Sequence, residues 1–76
     1  MSYEQRNFRA GGERYCVRLE PEFWRLVEEV ATARDEPLAR FVQAVDQRRA
    51  RGQGLGSALR CEILRHYRSS SHSIPK

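Results

Sequence analysis

The chain has 76 residues, 39% of them apolar and 32% charged, with a formal net charge of +4. That is one domain, near the smallest size at which a single core suffices, and no run reaches the roughly 18 apolar residues of a membrane span. The polar N-terminus has no secretory pattern, so the expectation is a cytoplasmic protein without a membrane partner.

The charge is unevenly spread. Residues 1–19 carry four arginines and two glutamates, residues 20–36 two arginines and six acids, and residues 37–76 seven arginines, one lysine and two acids. Segment charges are therefore +2, −4 and +6. Arginine forks suit phosphates and guanine edges better than ammonium groups do. A GC-rich genome also enriches arginine, so composition alone does not decide for nucleic acid. Cys16 and Cys61 lack the spacing of a metal site, and no secretory signal supports a disulfide between them.

Residues 1–12 are polar and end in Gly11-Gly12, which reads as a flexible arm carrying Arg6 and Arg9. Polar and apolar residues then alternate from Arg14 to Leu19. In a strand this puts Tyr15, Val17 and Leu19 on one face and Arg14, Cys16 and Arg18 on the other. One strand followed only by helices has no pairing partner in its own chain, so the sequence predicts a dimer.

Pro21, with its preset φ, opens helix 1 after Glu20, and Glu22 suits the first turn. The helix is expected over 21–33, with Phe23, Leu26, Val27 and Val30 as its apolar stripe and Trp24 at the core edge. Arg34-Asp35-Glu36-Pro37 breaks it. Helix 2 follows over about 37–49 with Leu38, Phe41, Val42 and Val45, and Gly52 and Gly54 end that segment. Helix 3 is expected over 55–68 with Leu55, Ala58, Leu59, Ile63, Leu64 and Tyr67 inward, and residues 69–76 form a serine-rich disordered tail. The folded domain thus spans 13–68 in a mainly α chain.

Four segments in order, Arg14–Trp24, Val42–Asp46, Leu55–Arg60 and Leu64–Arg68, resemble the ribbon-helix-helix family, in particular small stand-alone bacterial members. The resemblance covers about residues 7 to 68. It implies an intertwined homodimer in which one N-terminal strand from each chain pairs into an antiparallel two-stranded ribbon over two core helices. The third helix lies beyond that minimal core. In DNA-binding members the ribbon enters the major groove and the start of the second helix holds a phosphate on free backbone N–H groups. Carried onto this sequence, Arg14, Cys16 and Arg18 would read bases. Leu38 and Ala39 would supply the backbone anchor beside Pro37, and Arg34 and Arg40 would add positive charge there. The helix 2 start departs from the family's common glycine followed by serine or threonine. It reads Asp35-Glu36-Pro37, which brings two carboxylates and removes one N–H.

The expectation is a homodimeric, sequence-specific DNA-binding protein, a transcriptional regulator of the bacterial cytoplasm with double-stranded DNA as its partner. No catalytic set, metal site or cofactor is expected: no Ser/His/Asp constellation, paired-carboxylate cleft or phosphate loop is present. The alternative is a dimeric, antitoxin-like protein-interaction module that has lost or weakened DNA binding. It rests on the acidic helix 2 start and on helix 3 as a surface for another protein.

Overall fold

The computed structural model describes residues 2–71. Its elements run β1 (Glu4–Ala10), β2 (Glu13–Leu19), α1 (Pro21–Ala33), α2 (Leu38–Arg48) and α3 (Leu55–Ser71).

The first finding corrects the expectation of a flexible arm and of a single strand. Residues 4–10 form β1, which pairs antiparallel with β2 over its whole length, from Glu4 opposite Leu19 to Ala10 opposite Glu13. Gly11 and Gly12 make the two-residue turn, with φ of 59° and 79°. Two successive positive φ values define the turn whose twist matches paired strands, and glycine adopts them without a side-chain penalty. The two-stranded ribbon is therefore built from one chain, and the argument that an unpaired strand requires a second molecule does not hold.

Side chains alternate about this hairpin. Arg6, Phe8, Tyr15, Val17 and Leu19 face the helices, while Gln5, Asn7, Arg9, Arg14, Cys16 and Arg18 face outward and are exposed. Trp24, expected at the core edge, is buried to 1% exposure. Its ring lies 5.8 Å from Phe8, the Arg6 guanidinium sits 4.8 Å from its centroid, and its Nε1–H donates to the Glu4 carbonyl at 2.7 Å. These contacts hold β1, which is poor in strand-forming residues, onto α1.

Helix 1 takes the bounds the sequence gives, with the Glu20 carbonyl accepting from Phe23 and Trp24 N–H. At its other end the Glu36 N–H donates to the Ala31 carbonyl at 2.9 Å and the Asp35 N–H to the Thr32 carbonyl at 3.0 Å. Asp35 takes the left-handed conformation, φ 55°. This is a Schellman end with aspartate where glycine is usual, and a proline follows as such ends favour. Asp35 and Glu36 thus belong to the end of α1, and Pro37 caps α2 from outside it.

Helix 3 packs its stripe within the same chain. Ala58, Leu59 and Ile63 join Val17, Leu19, Trp24, Val27, Val30, Ala31, Phe41, Val42 and Val45 in one core. Leu64, expected inward, is 60% exposed and Tyr67 lies at the surface, its hydroxyl donating to Glu29 at 2.7 Å. Ser69, Ser70 and Ser71 extend α3 rather than starting a tail. The rest of the expected tail, residues 72–76, lies outside the described residues. Among the described residues, no helix is long and apolar enough to cross a membrane.

Candidate nucleic-acid interface

The outward hairpin face brings together the three base-reading residues expected from sequence, Arg14, Cys16 and Arg18. Beside them β1 places Arg9, Asn7 and Gln5 as their respective cross-strand partners. Sequence reasoning missed this second row by reading β1 as an arm. The available signal was the two-residue Gly-Gly spacer between two runs that each hold aromatic or aliphatic residues at alternate positions.

The thirteen arginines divide by partner. Arg6, Arg34, Arg48, Arg49, Arg60 and Arg65 each meet a carboxylate at 2.6–3.4 Å. Among the described residues the other seven, Arg9, Arg14, Arg18, Arg25, Arg40, Arg51 and Arg68, have no carboxylate partner. Three of these seven stand on the six-residue outward face, which carries no acid. Arg9 and Arg14 are direct cross-strand partners. Like charges directly opposite one another destabilise a ribbon, so this pair costs the fold rather than supporting it.

The paired arginines do structural work. Glu62 on α3, only 9% exposed at its side chain, is met by Arg34 at 3.0 Å, Arg65 at 3.1 Å and Arg48 at 3.4 Å. Arg34 also lies over the Phe41 ring at 5.5 Å. The structure therefore turns Arg34, expected beside a phosphate, toward α3. On the hairpin's inner side, Arg6 bonds Glu28 at 2.6 Å and Glu4 at 2.7 Å. Those two bonds, Glu28's first, raise its pKa further above the ordinary arginine value. Glu20 accepts from Arg60 at 2.7 Å, and that bond, followed by a backbone hydrogen bond, holds its carboxyl below the usual range.

At the second expected contact, α2 starts at Leu38 rather than at Pro37. The Phe41 N–H donates to the Pro37 carbonyl at 2.9 Å, the first bond of the helix. The N–H groups of Leu38, Ala39 and Arg40 precede it and have no partner inside the helix. Pro37 thus removes no donor from this first turn. Arg40 is exposed and carries no carboxylate.

A two-stranded ribbon with a polar, cationic outer face, backed by helices, defines the ribbon class of nucleic-acid-binding folds. The match to the ribbon-helix-helix domain model spans residues 3–67, and the chain belongs to that family. Ribbon-helix-helix domains are generally dimeric, non-enzymatic DNA-binding regulators. Comparison with curated proteins and with solved structures found no match.

Proposed function

We propose that the protein is a sequence-specific DNA-binding regulator that lays its hairpin in the major groove. The observation that carries this reading is the set of carboxylate-free arginines, Arg9, Arg14 and Arg18, on one acid-free ribbon face. A two-stranded ribbon fits the roughly 12 Å width of the major groove, and arginine forks onto guanine O6 and N7 with about 1–3 kcal/mol of discrimination per good pair. Gln5 and Asn7 add amide groups suited to adenine. Cys16 sits at the centre of β2 as a small residue that fits the groove floor. The free N–H groups of Leu38, Ala39 and Arg40, with the Arg40 side chain, supply a phosphate contact at the positive end of α2.

The test is titration of random and genomic duplexes at two salt concentrations. Sequence-preferring binding that Arg18→Ala abolishes is the expected result, and no binding at low salt would sink the reading. A second reading, a protein-interaction module, is favoured by one observation, the exposure of Leu64 on α3. Recovery of a single stoichiometric protein partner, with the duplex titrations blank, would select it.

A further inference from the structure

The outer face of the hairpin also constrains which bases the groove should hold, an inference that rests on the DNA reading above. The two-residue turn is closed by the Ala10–Glu13 pair, so the next pair, Arg9 and Arg14, is of the kind that exchanges no backbone hydrogen bonds. In such pairs the Cα atoms lie about 4.5 Å apart and the side chains stand closest together. Two guanidinium groups thus leave the ribbon at one level, one from each strand. Both residues are exposed, and among the described residues neither meets a carboxylate.

A ribbon lying along the major groove sets one of its strands nearer each DNA strand. With the two rows about 4.8 Å apart, Arg9 faces the bases of one DNA strand and Arg14 those of the other. Guanine offers an arginine fork two acceptors, O6 and N7, and one fork occupies both. A base pair holds at most one guanine. Two forks at one level therefore need two adjacent base pairs, about 3.4 Å apart, with a guanine on each strand. A run of guanines on one strand would leave the other arginine facing cytosine N4 amino groups, which donate and offer it nothing to bond. Two residues along β1, about 6.8 Å or two base pairs from that step, Asn7 faces the strand that Arg9 reads. Its amide suits adenine N6 and N7, and its cross-strand partner Cys16 is too short to compete for the same base pair.

We propose that Arg9 and Arg14 form a paired guanine reader, selecting a GC or CG step with one guanine on each strand at the turn end of the ribbon, and that Asn7 selects an adenine two base pairs away on the Arg9 strand. Arg9 is thereby a specificity-determining residue on β1, equal in rank to Arg14 on β2. The repulsion between the two arginines is offset only when both guanines are present, which ties their preferences together. This is a property of the hairpin and applies to each copy in an assembly on the duplex.

Selection of the full chain against a random duplex library, followed by titration of the selected duplex and its single base-pair variants, tests the proposal. The selected sites should contain the step, and changing either of its base pairs to A·T should weaken binding about 5- to 150-fold. Arg9→Ala should erase the penalty at one of the two base pairs only, and Arg14→Ala the penalty at the other only. Thermal melts of both variants no lower than that of the parent chain separate a lost contact from a lost fold. Penalties that survive in both variants would overturn the paired reader and leave DNA binding standing. So would an Arg9→Ala chain that binds all duplexes equally less well with a salt slope shallower by about 0.9, since Arg9 would then hold a phosphate. No binding to any duplex at low salt would instead overturn the DNA reading itself.

Discussion

Replacing Arg14 by alanine should move stability and binding in opposite directions. Arg14 faces Arg9 across the ribbon, and neither has a carboxylate partner among the described residues. Removing one of two directly opposed like charges relieves a repulsion of about 0.2–1 kcal/mol. In a domain of this size each kcal/mol shifts Tm by about 4–8 °C, so Arg14→Ala should melt about 1–8 °C higher. Its duplex binding should weaken by about 1–3 kcal/mol and its base preference should relax at one position, because a guanine fork is lost. Thermal melts followed by circular dichroism, and anisotropy of labelled duplexes that differ by single base pairs, measure the two quantities. Arg60→Ala is the control: it breaks the 2.7 Å bond to Glu20 and should not raise Tm or relax the base preference. A less stable Arg14→Ala with unchanged duplex binding and base preference would refute the reasoning, because Arg14 would then be structural.

Gly11→Ala should cost more than Gly12→Ala. Both force alanine to positive φ, about 1–2 kcal/mol each, but a Cβ at Gly11 would stand 2.5 Å from the Gln43 amide nitrogen whereas Gly12 has nothing within 4 Å. Equal melting temperatures for the two variants would contradict this. Glu62→Ala removes the shared partner of Arg34, Arg48 and Arg65, which are exposed enough to rehydrate. A loss of about 1–3 kcal/mol in urea unfolding is expected, against less than about 1 for Arg65→Ala. Equal losses would show that the three bonds are not centred on Glu62. Because the folded Glu20 carboxyl is held below its ordinary value, its contribution is full above that value and is lost as pH falls through the lowered one. Arg60→Ala should therefore flatten the acid limb of the Tm–pH profile, and an unchanged limb would count against the pairing.

The parts of the fold that followed from sequence are those set by local rules. Alternation gave β2, Pro21 gave the start of α1, and helical spacing gave Val27 and Val30 of α1 and Phe41, Val42 and Val45 of α2 as core positions. Phe23, Leu26 and Leu38 are only half-buried, whereas Trp24 lies in the core rather than at its edge. β1 was harder to read because Glu4-Gln5-Arg6-Asn7 lacks the β-branched and aromatic residues that mark strands. Its order comes from the two-glycine turn and from Trp24, twenty residues further on, which is tertiary information. Glu62 was illegible for the same reason. It falls between the stripe positions Leu59 and Ile63, and its burial depends on arginines from three separate places in the chain. At the candidate interface, Arg14, Cys16 and Arg18 followed from period two, while Gln5, Asn7 and Arg9 required the hairpin register. In the acidic break a helix end and a helix start share one short connection, and only the hydrogen bonds assign the Asp35 and Glu36 N–H groups to the end of α1.

The chain contains one tryptophan, and it carries a hydrogen bond that ties β1 to α1. Trp24 is thus a built-in optical gauge of the hairpin. While β1 is seated, the indole is dry, hydrogen-bonded and covered by Arg6, so its emission should lie toward the blue. Any event that lifts β1, whether strand exchange between molecules or fraying under denaturant, exposes the ring and shifts that emission to the red, with no label attached to the protein.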